Sequence, residues 1–256
     1  MARILVTGSS DGLGQIAARS LISQGHEVYL HARNPQRAQQ ARESAPGAKG
    51  VLVGDLSSIA QTKALAAEAN KIGKFDAVMH NAALGTYPEQ SKSEDGIEKM
   101  FAVNSLSQYI LTCLMERPKR LVYVSSGLHS NGDPSLQDVA WTSKRSFASF
   151  QAYCDTKLHN ILLSNAVARH WNNVESNACN PGWVKTKLGT FNAPGDPQAG
   201  ARTQVHLTDP KQDVGSGRYW SDMKPIEPQA GANDIAKQEE FLKICQDLSG
   251  IAFPKN

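Results

Sequence analysis

Residues 3–14 read Arg3-Ile4-Leu5-Val6-Thr7-Gly8-Ser9-Ser10-Asp11-Gly12-Leu13-Gly14, and this stretch decides the fold. Ile4 to Val6 form a short apolar run stopped by glycine, the pattern of a strand buried on both faces. Leu13, Ile16, Ala17 and Leu21 then recur at helical spacing until Gly25 closes the helix. Between them lies a glycine turn. A side chain at Gly8 or Gly12 would keep the backbone amides away from a ligand phosphate, and Gly14 permits close packing of helix on strand. The helix N-terminus offers unpaired amides and a positive dipole to a pyrophosphate. Ser10 and Leu13 belong to the same candidate cradle. A purely structural turn would also use glycine, but the strand before and the helix behind favour a dinucleotide site.

The rest of the chain repeats the alternation. Strands are predicted over residues 26–32, 50–54, 75–80, 121–125, 174–179 and 218–220, and helices over 35–44, 58–71, 94–115, 147–170 and 233–248. Such alternation implies an α/β fold, a Rossmann-type doubly wound parallel sheet of about seven strands with helices on both faces. No repeat or linker interrupts it, so residues 1–256 read as one domain. Residues 127–146 carry the turn signal Asn131-Gly132-Asp133-Pro134 and read as an insertion. Pro194, Pro197, Pro210, Pro225 and Pro228 make the final quarter read as irregular.

Composition narrows the function classes. The 256 residues are 40% hydrophobic and 20% charged, with a net charge of +3. Basic residues are scattered, so neither nucleic acid nor an anionic membrane is an expected partner. No apolar run has the ~20 residues of a membrane helix, and no signal peptide is visible at Met1. Cys113, Cys154, Cys179 and Cys245 stand apart without metal or disulfide spacing, which suggests reduced thiols and a cytoplasmic protein. His80, His129, His159 and His170 have no ligand spacing, so no metal is expected. Trp171, Trp183 and Trp220 read as packing residues, and Lys144-Arg145 as a solvent-facing pair.

The end of the second strand, Leu30-His31-Ala32-Arg33-Asn34, lacks the acid that binds ribose hydroxyls in NAD sites. Arg33, with Arg37 below it, can pair with a 2′-phosphate, so NADP(H) is favoured over NAD(H). Further on, Tyr153 and Lys157 lie one helical turn apart. A tyrosine near pKa ~10 exchanges protons poorly at neutral pH unless an ammonium stabilises its phenolate. Tyr153 is then a candidate acid/base, with Lys157 softening it. Ser126, at the end of the fifth strand, could bind the oxygen on which charge develops.

These features in this order resemble the short-chain dehydrogenase/reductase family. Its marks here are the T-G-x-x-x-G-x-G spacing from Thr7, Asn81-Ala82-Ala83 after the fourth strand, Ser125-Ser126, and Tyr153 to Lys157. The resemblance spans roughly residues 3 to 220. The long interval from Ser126 to Tyr153 resembles the retinol dehydrogenase and WW-domain oxidoreductase branch more loosely. It implies that Asp55 and Leu56 meet the adenine, and that Asn81 and Ala82 flank the cofactor. It implies that Ser126 rather than Ser125 is active, that Lys157 also holds the nicotinamide ribose, and that Asn104 fixes a water leading to Lys157. Pro181-Gly182 would turn the chain over the nicotinamide, with the Val184 amide and Thr186 hydroxyl on its carboxamide.

The expected activity is hydride transfer between a nicotinamide and a carbonyl or alcohol. The pocket would be built from residues 84–93, 127–146 and 183–205, with Leu128, Trp141, Trp183, Leu188 and Phe191 as an apolar lining. The substrate is then a hydrophobic small molecule. Two alternatives are a regulatory protein that binds NADP(H) without turnover, which loss of Tyr153 or Lys157 would favour, and an epimerase or dehydratase, for which the chain is short. Family members often pair through the two long helices, here 94–115 and 147–170, so a homodimer or homotetramer is the expected assembly.

Overall fold

A computed structural model describes residues 1–143 and 146–255, and Lys144-Arg145 lies outside them. The opening stretch forms β1 (Arg3–Val6), a turn, and α1 (Gly12–Ser23). β2 (Glu27–Ala32), α2 (Pro35–Ser44), β3 (Gly50–Val53), α3 (Ile59–Ile72) and β4 (Ala77–His80) follow. A short α4 (Lys99–Phe101) runs through a π-helical turn, Ala102–Leu106, into α5 (Ser107–Leu114). Then come β5 (Arg120–Val124), α6 (Ser149–His170), β6 (Glu175–Asn180), α7 (Pro197–Thr208), β7 (Arg218–Ser221), β8 (Lys224–Ile226) and α8 (Ile235–Ser249). They build one eight-stranded sheet in the order β3-β2-β1-β4-β5-β6-β7-β8, parallel throughout except for β8.

Side-chain alternation along the strands divides the core between the two faces. Ile4, Val6, Val28, Leu30 and Met79 pack with Ala17 and Leu21 of α1 and with Val205 and Leu207 of α7. Leu5, Val78, Leu121 and Tyr123 face the other way, toward α3, α5, α6 and α8. The order reverses at β1, where the chain goes outward to β2 and β3 and then returns to β4. The carboxyl ends of β1 and β4 part there and leave a crevice.

Three elements differ from the sequence reading. Helix 94–115 begins only at Lys99, because Gly96 takes a left-handed turn at φ 76° and the Glu98 side chain caps the amide of Phe101. The supposed loop 183–205 contains most of α7. Its start is marked by Asp196, which accepts from the amides of Gln198 and Ala199, and by Pro197 in the first turn. The strand near Trp220 is followed by β8. Asp222 and Met223, at φ 48° and 65°, make the two-residue hairpin turn between them.

The tail beyond α8 docks against α5 and the end of α6. Phe253 stacks on Trp171 at the end of α6, the Tyr109 hydroxyl of α5 donates to Ile251 O, and Trp171 Nε1 donates to Pro254 O. Glu239 of α8 pairs with Arg169 and His170 of α6. No described helix is long and apolar enough to cross a membrane.

Candidate active site

A cavity of about 610 Å³ opens at the crevice above β1 and β4. Gly8, Ser10, Gly12, Leu13 and Gly14 form one wall and Asn81 and Ala82 its floor; Arg33, Asp55 and Leu56 close one end. Tyr153 and Lys157 close the other, with Pro181 and Thr186 opposite the glycine turn. Four expected residues stand off this wall. Asn104 is buried behind Leu84, Ser126 borders Tyr153, Gly182 is exposed beyond Pro181, and the Val184 side chain is buried against α7.

The glycines answer to packing as much as to a ligand. A Cβ at Gly8, where φ is 61°, would lie 2.6 Å from Ala82 Cα, and one at Gly14 would lie 2.4 Å from Gly8 O. Gly12 has open space, with Thr186 atoms 3.9 Å away across the cleft. The turn is therefore close-packed behind and clear in front, so its residues fit a pyrophosphate.

One residue of this turn escaped the sequence reading. His31, the penultimate residue of β2, is buried, with its Nδ1 accepting from the Gly8 amide at 3.0 Å and its Nε2 donating to Gly54 O at 2.9 Å. Burial holds its pKa below the ordinary histidine value, so the ring stays neutral and can accept. A histidine directly before Ala32-Arg33 was the available signal, but one residue gives no spacing to read.

At the other end, Tyr153 and Lys157 extend from α6 toward β5. Ser126 neighbours the Tyr153 hydroxyl, and its own hydroxyl accepts from the Leu128 amide at 3.2 Å. Ser125, whose side chain alternates to the opposite side, donates to Lys157 O at 2.6 Å and so braces the helix. Lys157 Nζ donates to Val124 O at 3.0 Å and stands 5.4 Å from the Tyr153 ring centroid. Burial dominates both groups: it pushes the phenol up to about 12 and the ammonium down to about 8. Ser126 partly offsets the phenol's rise. In the free chain the phenol lies above its ordinary value, while the ammonium donates to the Val124 carbonyl.

Ser126 is held through its own backbone. Its carbonyl accepts from His129 Nδ1 at 2.8 Å and from the Tyr219 hydroxyl at 3.0 Å, while His129 Nε2 accepts from the Gln229 amide. Asn104 lies in the π-helical turn, a departure often found at functional positions. Its amide group bonds both backbone groups of Leu84 and donates to Thr156 Oγ1 at 3.2 Å, tying the strand-four loop to the helix bearing Tyr153.

The expected apolar lining is only partly present. Leu188 lines the cavity, whereas Trp141 is buried against Tyr153, Met100 and Ala152. Trp183 and Phe191 stand 62% and 76% exposed on the outer rim, which corrects the reading of Trp183 as a packing residue. Trp171 and Trp220 are buried. Among the described residues no group of His, Cys, Asp or Glu could hold a metal.

Comparison with known proteins agrees with this architecture. The short chain dehydrogenase family model matches residues 2–135. An uncharacterised oxidoreductase of Emericella nidulans is 47% identical over 261 residues, 99% of each chain. Retinol dehydrogenase 14 of Homo sapiens is 32% identical across 97% of this chain and 86% of its own length. The crystal structure of an uncharacterised protein from Mycobacterium paratuberculosis superposes with a TM-score of 0.86 at 24% identity, over 99% and 95% of the two chains. This chain belongs to the short-chain dehydrogenase family of oxidoreductases, with a resemblance to its retinol dehydrogenases.

Proposed function

We propose that the protein is an NADP(H)-dependent oxidoreductase that reduces the carbonyl of a hydrophobic small molecule, or oxidises the corresponding alcohol. One observation carries the reading: Tyr153 and Lys157, one helical turn apart on α6, line the same cavity whose other wall is the glycine turn. The bound nicotinamide supplies or receives the hydride. Ser126 and Tyr153 bind the substrate oxygen, and Tyr153 holds the proton that the developing alkoxide requires. A phenol near 12 is fully protonated at neutral pH, which suits the reductive direction. Lys157 holds the nicotinamide ribose, and Asn104 supports the strand-four loop and the water path behind it.

The NADP(H) preference is supported by the missing acid after β2 and by Arg33 and Arg37 at the adenosine end of the cavity. Asp55 and Leu56 take the adenine, Asn81 and Ala82 flank it, and Pro181, Gly182, Val184 and Thr186 take the nicotinamide end. Residues 1–256 act as one domain. Four unpaired cysteines fit a cytoplasmic location.

The test is loss of NADPH absorbance with a panel of aldehydes, ketones and quinones. Tyr153→Phe should lower kcat/KM about 10²- to 10⁴-fold while NADPH binding is retained. Equal turnover by the variant would refute the acid role. Cofactor binding with no turnover of any panel member by the wild-type chain would favour the regulatory alternative.

A further inference from the structure

Asp11 sits at the N-cap of α1, where an aspartate ordinarily accepts from the free amides of the first turn. Its side chain makes no such bond. The carboxylate accepts instead from Arg37 Nη2 at 2.6 Å and faces Lys187 Nζ at 3.4 Å. Arg37 comes from α2 and Lys187 from the segment after β6, so one carboxylate joins three segments around the cavity. Arg37 Nη2 also donates to Ser10 Oγ at 3.0 Å. Ser10, Asp11, Arg33, Arg37 and Lys187 all line the cavity.

The unused cap has a consequence for each partner. The α1 amides stay free to meet a pyrophosphate. One of the two guanidiniums that could meet a 2′-phosphate, that of Arg37, is already engaged by an anion of the protein's own. A phosphate dianion makes stronger charge-assisted bonds to a guanidinium than one carboxylate does, and two anions on one guanidinium repel.

We propose that Asp11 is an internal stand-in for the 2′-phosphate of the cofactor. It holds Arg37 while the site is empty and gives it up when the phosphate binds, and so lowers the affinity for NADP(H) without touching that for NAD(H). Through Lys187 the same exchange unties the segment after β6 from the glycine turn. The inference rests on the NADP(H) reading above and makes Asp11 a specificity-determining residue.

The experiment is calorimetric titration of the free protein with NADPH, NADH, 2′,5′-ADP and 5′-AMP. The chains are the wild type, Asp11→Asn, Arg37→Gln and the double variant, each first checked by thermal melting. Asp11→Asn should tighten NADPH and 2′,5′-ADP about three- to tenfold and leave NADH and 5′-AMP within about twofold. The gain should vanish in the Arg37→Gln background, since the two residues act as a pair. Unchanged or weaker binding of 2′,5′-ADP by Asp11→Asn overturns the proposal. So does an equal gain with Arg37 removed, which marks a general charge effect. A wild-type chain that prefers NADH overturns the cofactor reading instead, and the Asp11 proposal is then judged on 2′,5′-ADP alone.

Discussion

Lys157 is a lysine at 2% exposure, with Val124 O as its hydrogen-bond acceptor, and the fold carries that charge at a cost. Its pKa is lowered from 10.5 to about 8 by burial. The folded chain therefore binds fewer protons than the unfolded one between about pH 8 and 10.5, and this group's contribution to stability rises with pH across that window. Replacing the ammonium by an apolar chain of similar length removes the cost. Val124 O keeps a donor in Asn160 Nδ2 at 3.0 Å. Lys157→Met should thus raise stability at pH 7 by roughly 1–3 kcal/mol while abolishing turnover. Denaturant unfolding beside the NADPH assay measures both, and a destabilised variant would show that the lysine is retained for structure.

At the scale of elements, the end of β5 is the part on which catalysis depends. Ser126 lies two residues beyond Val124, the last residue of the strand, and its carbonyl is clamped by His129 from the next turn and Tyr219 from β7. His129 in turn accepts from Gln229, so the segment after β8 reaches the candidate site through one imidazole. His129→Ala should lower kcat about tenfold or more with NADPH affinity unchanged, since it frees Ser126 rather than the cofactor. His129→Asn, which keeps a donor, should recover part of the loss. A matching fall in cofactor affinity would mean that the whole strand end had shifted.

At the scale of the whole molecule, the fold holds five buried histidines toward their neutral form. His26, His31, His80, His129 and His159 all have lowered pKa values, with burial the first cause in each, and His80 and His159 fall to about 3. Below pH 6.5 the unfolded chain takes up protons that the folded chain refuses. Their contribution is full above 6.5 and is lost as the pH falls toward the folded values. Glu239, held at about 2 mainly by its Arg169 partner against the rise from burial, adds a loss in the same direction below about 4.5. The melting temperature should be flat near pH 7 to 8 and drop progressively from about 6.5 to 4. A melting temperature unchanged across that interval would contradict the buried neutral states.

Local signals determined a good deal of this protein. The apolar runs, the glycine turn at Gly8–Gly14 and the one-turn spacing of Tyr153 and Lys157 are properties of neighbours along the chain. The parallel sheet, its helices and the pairing of motifs could be read from them. The same rule made α7 legible at Asp196-Pro197, although the surrounding prolines masked it, and left β8 hidden, because Met223 is a poor turn residue and Pro225 a poor strand residue. What only the folded chain decided are meetings between distant segments. His31 accepts from Gly8, Asp11 turns from its own helix to Arg37 and Lys187, two side chains clamp Ser126, and α8 with its tail covers α5 and α6. Burial likewise raised the Tyr153 pKa and lowered that of Lys157, because desolvation depends on every atom packed around a charge and has no trace in the spacing of two residues.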